Sequence, residues 1–272
     1  MEGDRNGAPA RVVTSEVALG DLLALANAAA DAVVPTLAAP DRGDLGIDTK
    51  SSVSDMVTAI DRWSEATIVD LLKSARPGDG LLGEEGANKP SDTGVVWVID
   101  PIDGTTNFIR DLPGFSVSIA ARMDGIDSVG VIHDPIRSER FEAVLGGGAT
   151  CNGDPIGVSS PGDMSRAVLA TGFNYQPAVR TAQAELLRGL LPDIADIRRF
   201  GGAALDCCAV AMGRLDGYYE IGVSDWDIAA GGLLIREAGG LTADHRSEGG
   251  PFIAAGPAIF STLLKRVGVH AT

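Results

Sequence analysis

The chain has 272 residues, of which 45% are hydrophobic and 22% are charged, so it is long and apolar enough to bury a large core. Its formal net charge is −15. A surface of that sign repels the phosphate backbone of nucleic acid and the anionic face of a membrane, so we expect neither as a partner. A small phosphate ester stays compatible with this charge, because bound divalent cations reverse the local field.

The cysteines and the N-terminus indicate a cytoplasmic protein. Three cysteines without CxxC spacing predict reduced thiols. They are Cys151, Cys207 and Cys208. The polar N-terminal stretch predicts a disordered tail over residues 1–14, and we expect no secretory signal. The apolar stretch 22–37 is interrupted by Asp31 and Pro35, and it predicts an amphipathic helix that is too short to span a bilayer.

The first half of the chain predicts two helices and then strands that pair with their neighbours. The helices cover residues 15–37, where Ser15 caps the start and Pro35 closes the end, and residues 58–75. A polar loop, 41–55, connects them. Apolar runs between turn residues then predict strands of antiparallel character. These strands cover residues 81–86 (ending in an acidic turn), 95–99, 116–123, 128–134 and 139–145.

After about residue 155, helix-like and strand-like segments alternate, which predicts a more parallel α/β half. The predicted helices there cover residues 181–191, 203–212, 228–237 and 263–267. The predicted strands cover residues 167–171, 196–200, 217–221 and 241–243. We therefore expect an N-terminal α+β lobe with the metal-binding loops over residues 15–155, and a C-terminal α/β lobe over residues 156–272. The two lobes together are expected to form one catalytic unit.

The most informative run of the sequence is DPIDGTT at residues 100–106. It follows the apolar strand 95–99, so two carboxylates leave the end of that strand together. Pro101 is expected to stop the strand, and Gly104 to allow a tight turn. The two threonines that follow are suited to open a helix, whose first N–H groups attract anions. This combination of carboxylates and free N–H groups suits Mg²⁺-assisted phosphate ester chemistry.

Acidic residues elsewhere in the chain also lie at turns beside apolar elements. Glu84 and Asp227 could join Asp100 and Asp103 in holding two or three Mg²⁺ ions, with the carbonyl oxygen of Ile102 as a further ligand. A pair of such ions would activate a water and stabilise the leaving oxygen of a phosphate ester.

Some of these acidic positions have other interpretations. Asp227 could instead cap the helix 228–237, and the sequence favours neither role. Glu85 is expected to face solvent, because carboxylates normally do. Asp61 lies on the helix 58–75, where its spacing alone assigns it no role.

Six segments of the chain match one family pattern in order. The first signature is WVIDPIDGTTNF at residues 97–108, and the second is WDIAAGG at residues 226–232, continued by EAGG at 237–240. The other segments are KSS at 50–52 with DMVTAID at 55–61, GEEG at 83–86, RRFGGAALD at 198–206 and YYE at 218–220. From about residue 15 to about residue 265, the chain resembles the inositol monophosphatases of the Mg²⁺-dependent, lithium-sensitive sugar phosphatase superfamily.

This resemblance implies a layered αβαβα fold of the α/β (α+β) class and, commonly, a homodimer. It also implies a set of metal ligands for two or three Mg²⁺ ions, with Li⁺ as an inhibitor. The implied ligands are Glu84, Asp100, Asp103, Asp227 and the carbonyl oxygen of Ile102.

The resemblance further implies the roles of the catalytic residues, which are Asp61, Thr105 and Glu84. Thr105, with Asp61, would polarise the attacking water, while the backbone of Gly104 and Thr105 holds the phosphate. The hydroxyl groups of the polyol would face Asp103, Ala203 and Glu220. The implied substrate contacts as a whole are Asp103, Gly104, Thr105, Ala203, Glu220 and Asp227.

The implied function is hydrolysis of myo-inositol 1-phosphate, a small phosphorylated polyol, by attack of a metal-activated water. The superfamily shares this metal chemistry, so a histidinol phosphatase or another small sugar or nucleotide phosphatase is an alternative. Glu220 favours a polyol, but a carboxylate could equally pair with the amine of histidinol phosphate. The alternative of another class is an interaction protein that retains the fold. Such a protein is expected to have lost a metal ligand or Thr105, and all of them are present.

The sequence departs from the family pattern in three places. Gly202 stands where a small hydroxyl residue is usual, and the stretch 171–175 fits only loosely. The segment 244–252 is short and rich in glycine, which is expected to alter the rim of the pocket.

Overall fold

A computed structural model describes residues 18–41, 45–50 and 56–268 of the chain. The predicted tail over residues 1–14 and the cap at Ser15 lie outside the described residues, as does most of the predicted loop 41–55. The helices of the described part are α1 (Leu19–Ala38), α2 (Ala59–Ala75), α3 (Thr105–Ile109), α4 (Pro177–Leu190), α5 (Ala203–Ala211), α6 (Asp225–Glu237) and α7 (Pro257–Val267).

The strands form one short ribbon and two larger sheets. The ribbon pairs β1 (Asp48–Thr49) with β2 (Met56–Val57). The strands of the first sheet are β3 (Gly80–Gly83), β4 (Asn88–Lys89), β5 (Val95–Asp103), β6 (Ser116–Met123), β7 (Ile126–Asp134), β8 (Glu139–Val144), β9 (Gly148–Cys151) and β10 (Asp154–Pro155). Those of the second sheet are β11 (Val168–Thr171), β12 (Asp196–Arg198), β13 (Gly217–Ile221), β14 (Leu241–Asp244) and β15 (Pro251–Ala255).

The first sheet is mainly antiparallel, as predicted. Its order is β10-β9-β8-β7-β6-β5-β3-β4, and only the β3–β5 pair is parallel among its described strands. The second sheet has the order β12-β11-β13-β15-β14. Strands β12, β11 and β13 run parallel, whereas β15 pairs antiparallel with both neighbours. The prediction of a more parallel second half is therefore correct for one side of this sheet and wrong for the other.

Five layers stack through the molecule, which confirms the predicted αβαβα fold class. Helices α1 and α2 pack on one face of the first sheet, in a core that includes Trp97 and Ile119. Helices α5 and α6 fill the space between the two sheets, where Phe141 and Tyr218 contact the same cluster from opposite sides. Helix α7 packs with Leu190, at the end of α4, on the outer face of the second sheet. The predicted boundary between two lobes at residues 155 and 156 stays a prediction.

Helix α2 begins where the sequence predicts it. Thr58 accepts hydrogen bonds from the backbone N–H groups of Ile60 and Asp61, and the Asp61 carboxylate accepts one from the N–H of Thr58. This reciprocal capping box satisfies donors that the first turn would otherwise leave unpaired. Asp61 is thus fixed at the buried start of the helix.

Helix α1 ends one residue later than predicted. It continues through Pro35 to Ala38, because proline removes one backbone N–H only and the following Leu37 is buried. At 20 residues it is, within the described part of the chain, the one helix with the length and composition of a membrane span. The argument that this segment is too short to cross a bilayer is therefore wrong. One face of α1 nevertheless packs on the first sheet, where Asn27 donates to Glu142 on β8.

Two elements near the C-terminus differ from the prediction. Strand β15 was missed, because its five residues adjoin a glycine-rich segment that predicts a loop, yet the strand lies fully buried between β13 and β14. The last helix begins at Pro257 rather than at residue 263, since proline fits the first turn of a helix. The other predicted elements are present with ends shifted by a few residues.

Candidate active site

The segment 100–106 takes a different course from the predicted one. Strand β5 does not stop at Pro101 but continues to Asp103, with a shift in register between Asp100 and Asp103. Such a bulge removes Pro101 from the hydrogen-bond ladder, so its missing N–H breaks no pairing. Gly104 then turns the chain with a φ of 89°, and helix α3 follows. A Cβ at Gly104 would lie 2.6 Å from the carbonyl oxygen of Gly114, so the turn needs glycine.

Three carboxylates meet at the end of β5. One oxygen atom from each of Asp100, Asp103 and Asp227 lies within 4.8 Å of the others. Asp227 comes from the first turn of α6, where its carboxylate also accepts the backbone N–H of Ser224 at 2.5 Å. The sequence offered a capping role and a ligand role for Asp227 as alternatives. The position of this side chain is compatible with both at once.

Asp103 is oriented from across the cleft by the start of helix α5. Its Oδ1 accepts the backbone N–H of Ala203 at 3.2 Å, and its Oδ2 accepts that of Ala204 at 2.7 Å. The first N–H groups of a helix have no partner within the helix, so they are available for a carboxylate. Each oxygen of Asp103 keeps a lone pair that can face the cleft.

The surroundings of the three carboxylates make their charged forms unfavourable. Burial raises the pKa of Asp103 to about 7, although the hydrogen bonds from the backbone N–H groups of Ala203 and Ala204 lower it. Burial and the neighbouring Glu84 raise the pKa of Asp100 well above its usual range. Burial and Asp103 do the same for the pKa of Asp227. Buried like charges at this spacing are costly unless a cation offsets them, and an all-oxygen set suits a hard divalent ion such as Mg²⁺.

Glu84 lies in the same cleft but outside this group of three. It follows strand β3, and its carboxylate binds the ammonium group of Lys50 at 2.9 Å. Lys50 also binds Glu85 at 2.5 Å, and the side chain of Glu85 is only 6% exposed. The expectation that Glu85 faces solvent is therefore wrong. Burial opposes the charge on Lys50, but Glu84 and Glu85 together raise its pKa above the usual value.

Asp61 and Thr105 form a hydrogen-bonded pair beside the three carboxylates. The Thr105 hydroxyl lies 3.0 Å from Oδ1 of Asp61 and 3.0 Å from the carbonyl oxygen of Ile102. Its single proton serves one of these acceptors at a time. The other oxygen of Asp61 is held by Thr58. Burial raises the pKa of Asp61, while its hydrogen bonds from Thr58 and Thr105 lower it.

The far side of the cleft carries the half-buried carboxylate of Glu220 on β13. The hydroxyl of Tyr218 donates to its Oε2 at 2.9 Å. A Cβ at Gly172 would lie 2.0–2.2 Å from the Glu220 carboxylate, so glycine at this position leaves the space that the carboxylate occupies. Burial raises the pKa of Glu220, and the hydrogen bond from Tyr218 lowers it. Gly202, the departure from the family pattern, lies so close to Asp103 that a Cβ would stand 2.7 Å from its Oδ2.

All residues of the predicted site except Asp61 line one cleft of about 420 Å³. Asp61 lies behind the wall and reaches the cleft through Thr105. The residues of the predicted site that line the cleft are Glu84, Asp100, Ile102, Asp103, Gly104, Thr105, Ala203, Glu220 and Asp227.

Sequence reasoning missed two buried acids behind this cleft. Glu65 accepts the backbone N–H groups of Glu85 at 2.8 Å and Ala87 at 2.9 Å, and it thereby holds the turn that carries Glu84. Asp206 is 1% exposed, and within the described part of the chain its Oδ1 has no hydrogen-bond partner. The signal for Glu65 was its place on the apolar face of α2, where a charged residue is unusual.

Comparison with known proteins decides the family. The model of the inositol monophosphatase family matches residues 19–268. The chain belongs to the inositol monophosphatase family. This confirms the resemblance inferred from the sequence. Enzymes of this family generally depend on Mg²⁺, in keeping with the buried oxygen ligands at the end of β5.

The relatives within the inositol monophosphatase family carry two kinds of name. The chain is 46% identical over 233 residues to the Nus factor SuhB of Pasteurella multocida, covering 83% of this chain and 87% of the relative. It is 42% identical over 238 residues to the inositol-1-monophosphatase of Mycobacterium leprae, covering 82% of this chain and 81% of the relative. The net charge led us to expect no nucleic acid partner, and relatives that carry the name Nus factor do not support this expectation.

The fold of this chain is also found in solved structures of the family. The extragenic suppressor protein suhB from Bartonella henselae has a TM-score of 0.82 at 35% identity, covering 93% of this chain and 98% of that one. Inositol monophosphatase from Anabaena has a TM-score of 0.79 at 35% identity, covering 92% and 96%. The described fold is therefore that of the family.

Proposed function

We propose that the chain is a Mg²⁺-dependent phosphomonoesterase that hydrolyses myo-inositol 1-phosphate. The observation that carries the proposal is the meeting of Asp100, Asp103 and Asp227 within 4.8 Å, beside the Thr105–Asp61 pair. A cleft of about 420 Å³ suits one small phosphorylated polyol. The inositol-1-monophosphatase of Mycobacterium leprae, 42% identical to this chain, supports the same interpretation.

The proposed ligands for two or three Mg²⁺ ions are Glu84, Asp100, Asp103, Asp227 and the carbonyl oxygen of Ile102. When bound, Mg²⁺ supplies a Lewis acid that activates water and offsets the charge of the phosphoryl group. For Glu84 to become a ligand, its carboxylate has to share or leave its contact with Lys50.

The remaining roles belong to the chain itself. Thr105 accepts a hydrogen bond from the attacking water while it donates its own proton towards Asp61, which orients the water for in-line attack. Asp61 stays in place because Thr58 holds its second oxygen. The backbone N–H groups of Gly104 and Thr105 hold the phosphate oxygens. No side chain of this set needs to form a covalent phosphoenzyme.

The polyol end is proposed to be read by Glu220, Ala203 and Asp103. Glu220 accepts hydrogen bonds from substrate hydroxyl groups, because the single donor that it receives from Tyr218 leaves lone pairs available. The same carboxylate could pair with the amine of histidinol phosphate. Histidinol phosphatase is therefore the alternative that an assay has to test.

The deciding experiment is Mg²⁺-dependent phosphate release from a matched panel of esters. It comprises D-myo-inositol 1-phosphate, histidinol phosphate, fructose 1,6-bisphosphate and adenosine 3′,5′-bisphosphate. We expect the highest kcat/KM for the inositol ester. A preference for histidinol phosphate would retain the mechanism and replace the substrate, whereas no turnover of any ester would refute the enzyme. Inhibition by millimolar-scale Li⁺ is expected, and activity indifferent to Li⁺ would argue for another subfamily.

A second candidate function follows from the names of the relatives. Because several are Nus factors, we propose a transcription-related role beside hydrolysis. The test adds purified wild type and Asp100→Asn to transcription in vitro and measures termination. An equal effect of both proteins on termination would show that this role does not depend on the cleft. If neither protein affects termination, the proposed role is refuted.

The assembly and location of the protein are proposed from the family resemblance and the sequence. We propose a cytoplasmic homodimer without membrane attachment, in which α1 packs on its own sheet. Size-exclusion chromatography with light scattering checks the dimer, and fractionation of cells checks the location.

A further inference from the structure

The start of helix α6 is held by an ion-pair network outside the cleft. Asp225 is the first residue of this helix, and both of its carboxylate oxygens bind arginine. Oδ2 accepts a hydrogen bond from Nη1 of Arg122 at 2.7 Å, and Oδ1 accepts one from Nη2 of Arg246 at 2.8 Å. A carboxylate bound on both oxygens by two guanidinium groups has a fixed position and orientation.

The two arginines come from different layers of the fold, and each has a second anchor. Arg122 lies near the end of β6 and donates its Nε to Asp127 across the β6–β7 hairpin at 2.7 Å. Arg246 follows β14 in the second sheet and donates to both oxygens of Asp244 at 2.9 and 2.8 Å. Asp225 therefore joins the first sheet, helix α6 and the second sheet at one point.

A further contact ties the same turn to the centre of the cleft. Ser118 lies opposite Asp100 in the β5–β6 pairing. Its hydroxyl donates to the backbone carbonyl of Trp226 at 3.4 Å. The residues on both sides of this contact, Asp225 and Asp227, belong to the first turn of α6. A shift of that turn would therefore change the separation of Asp227 from Asp100.

Mg²⁺ demands near-ideal octahedral geometry, so the placement of each carboxylate decides how well it binds. We propose that Asp225, bound by Arg122 and Arg246, is a positioning residue that holds the carboxylate of Asp227 in place for binding Mg²⁺. The turn 244–246, which was assigned to the pocket rim from the sequence but which does not line the cleft, thereby acts on the metal site through Arg246. This inference rests on the metal-dependent function proposed above.

The test measures Mg²⁺ binding to the full chain by isothermal titration calorimetry, and in parallel the Mg²⁺ concentration for half-maximal phosphate release. Arg246→Ala is expected to weaken Mg²⁺ binding about tenfold, the effect typical of a lost partner behind a metal ligand. At saturating Mg²⁺, kcat is expected to stay within about twofold of wild type, because the ligands are unchanged. The Mg²⁺ affinities of Arg246→Lys, which keeps the charge, and of Asp225→Asn are expected to lie between those of wild type and Arg246→Ala.

The matched control is Arg188→Ala, which removes an exposed arginine paired with Glu185 on α4 and should leave Mg²⁺ binding unchanged. A lowered melting temperature of Arg246→Ala with wild-type Mg²⁺ affinity would show a merely structural role and overturn the inference. If Arg246→Ala does not fold, the Mg²⁺ affinities and melting temperatures of Asp225→Asn and Arg246→Lys decide by the same comparison.

The calorimetric readout separates this inference from the proposed function. Mg²⁺ binding without hydrolysis of any ester would refute the phosphatase, and the Mg²⁺ affinities of the variants would still decide on Asp225. Absence of Mg²⁺ binding by wild type would overturn both.

Discussion

The two ends of the cleft are built in different ways. At the proposed metal end, Asp100, Asp103 and Asp227 crowd within 4.8 Å, and burial raises the pKa of each. At the proposed polyol end, the one carboxylate of Glu220 has a hydroxyl donor from Tyr218 and space beside Gly172. The metal end thus crowds three carboxylates together, whereas the polyol end holds one carboxylate that already receives a hydrogen bond.

Asp100→Asn breaks the metal end directly and should have the largest effect. We expect kcat to fall about 10³-fold, because stabilisation by a metal ion is worth several kcal/mol of the barrier. The melting temperature without metal should not fall below that of wild type, since the variant removes one of three repelling charges. Phosphate release and thermal unfolding in EDTA provide the two measurements. Exposed Asp154→Asn is the control, and full activity of Asp100→Asn would refute the assignment.

The crowded carboxylates also make a prediction about pH. The folded state raises the pKa of Asp103 to about 7, so its contribution to stability is present in full below about pH 4 and is lost as the pH rises through 7. The free energy of unfolding in EDTA should therefore fall between pH 5 and pH 8, and Mg²⁺ should restore it.

Asp103→Asn tests this pH dependence. It should make the decline shallower, because the amide does not titrate, while Asp100 and Asp227 still do. Denaturant unfolding at several pH values measures both proteins. Stability in EDTA that rises from pH 5 to pH 8 in wild type would contradict the electrostatic account of the metal end.

Glu220→Gln tests the proposed polyol end of the cleft. Replacing the charged acceptor should lower kcat/KM for inositol 1-phosphate by about tenfold to a hundredfold, the worth of a hydrogen bond to a charged group. Turnover of p-nitrophenyl phosphate, which has no polyol, should change little. Steady-state kinetics on both esters provide the comparison. Equal losses on the two substrates would remove the role of Glu220 in selectivity.

Glu65→Gln should have the smallest effect. The amide keeps one acceptor oxygen for the turn 84–87 and faces the second backbone N–H with a donor, which should cost roughly 1–3 kcal/mol of stability. The concentration of Mg²⁺ for half activity should rise modestly, because Glu84 is less well placed. Thermal unfolding and Mg²⁺ activation measure the two effects. Glu185→Gln on the exposed face of α4 is the control, and a variant equal to it would show that Glu65 does not hold the turn.

The part of the site that could be predicted from the sequence is the part whose residues are close together in the chain. Asp100 and Asp103 leave one strand, so their proximity followed from local structure. Asp227 remained ambiguous, because its capping bond and its approach to β5 depend on where α6 packs. The placement of Glu85 was wrong, since its partner Lys50 lies 35 positions earlier.

The same limit applies to the fold. Helix α2 was predicted at its correct start from its apolar spacing, and the structure shows that Thr58 and Asp61 cap it there. Strand β5 was ended too early, since a bulge that accommodates Pro101 is visible only in the pairing with β6. Strand β15 was missed because five apolar residues between glycine-rich turns do not identify the neighbours with which they pair.

The contact between Asp103 and helix α5 has a consequence for the order of events during synthesis. The N–H groups that orient this carboxylate come from residues 100 and 101 positions later in the chain. While the ribosome has released only the first sheet, Asp103 has neither this support nor Asp227 beside it. The nascent chain therefore cannot assemble the proposed catalytic centre until helix α6 has emerged and docked.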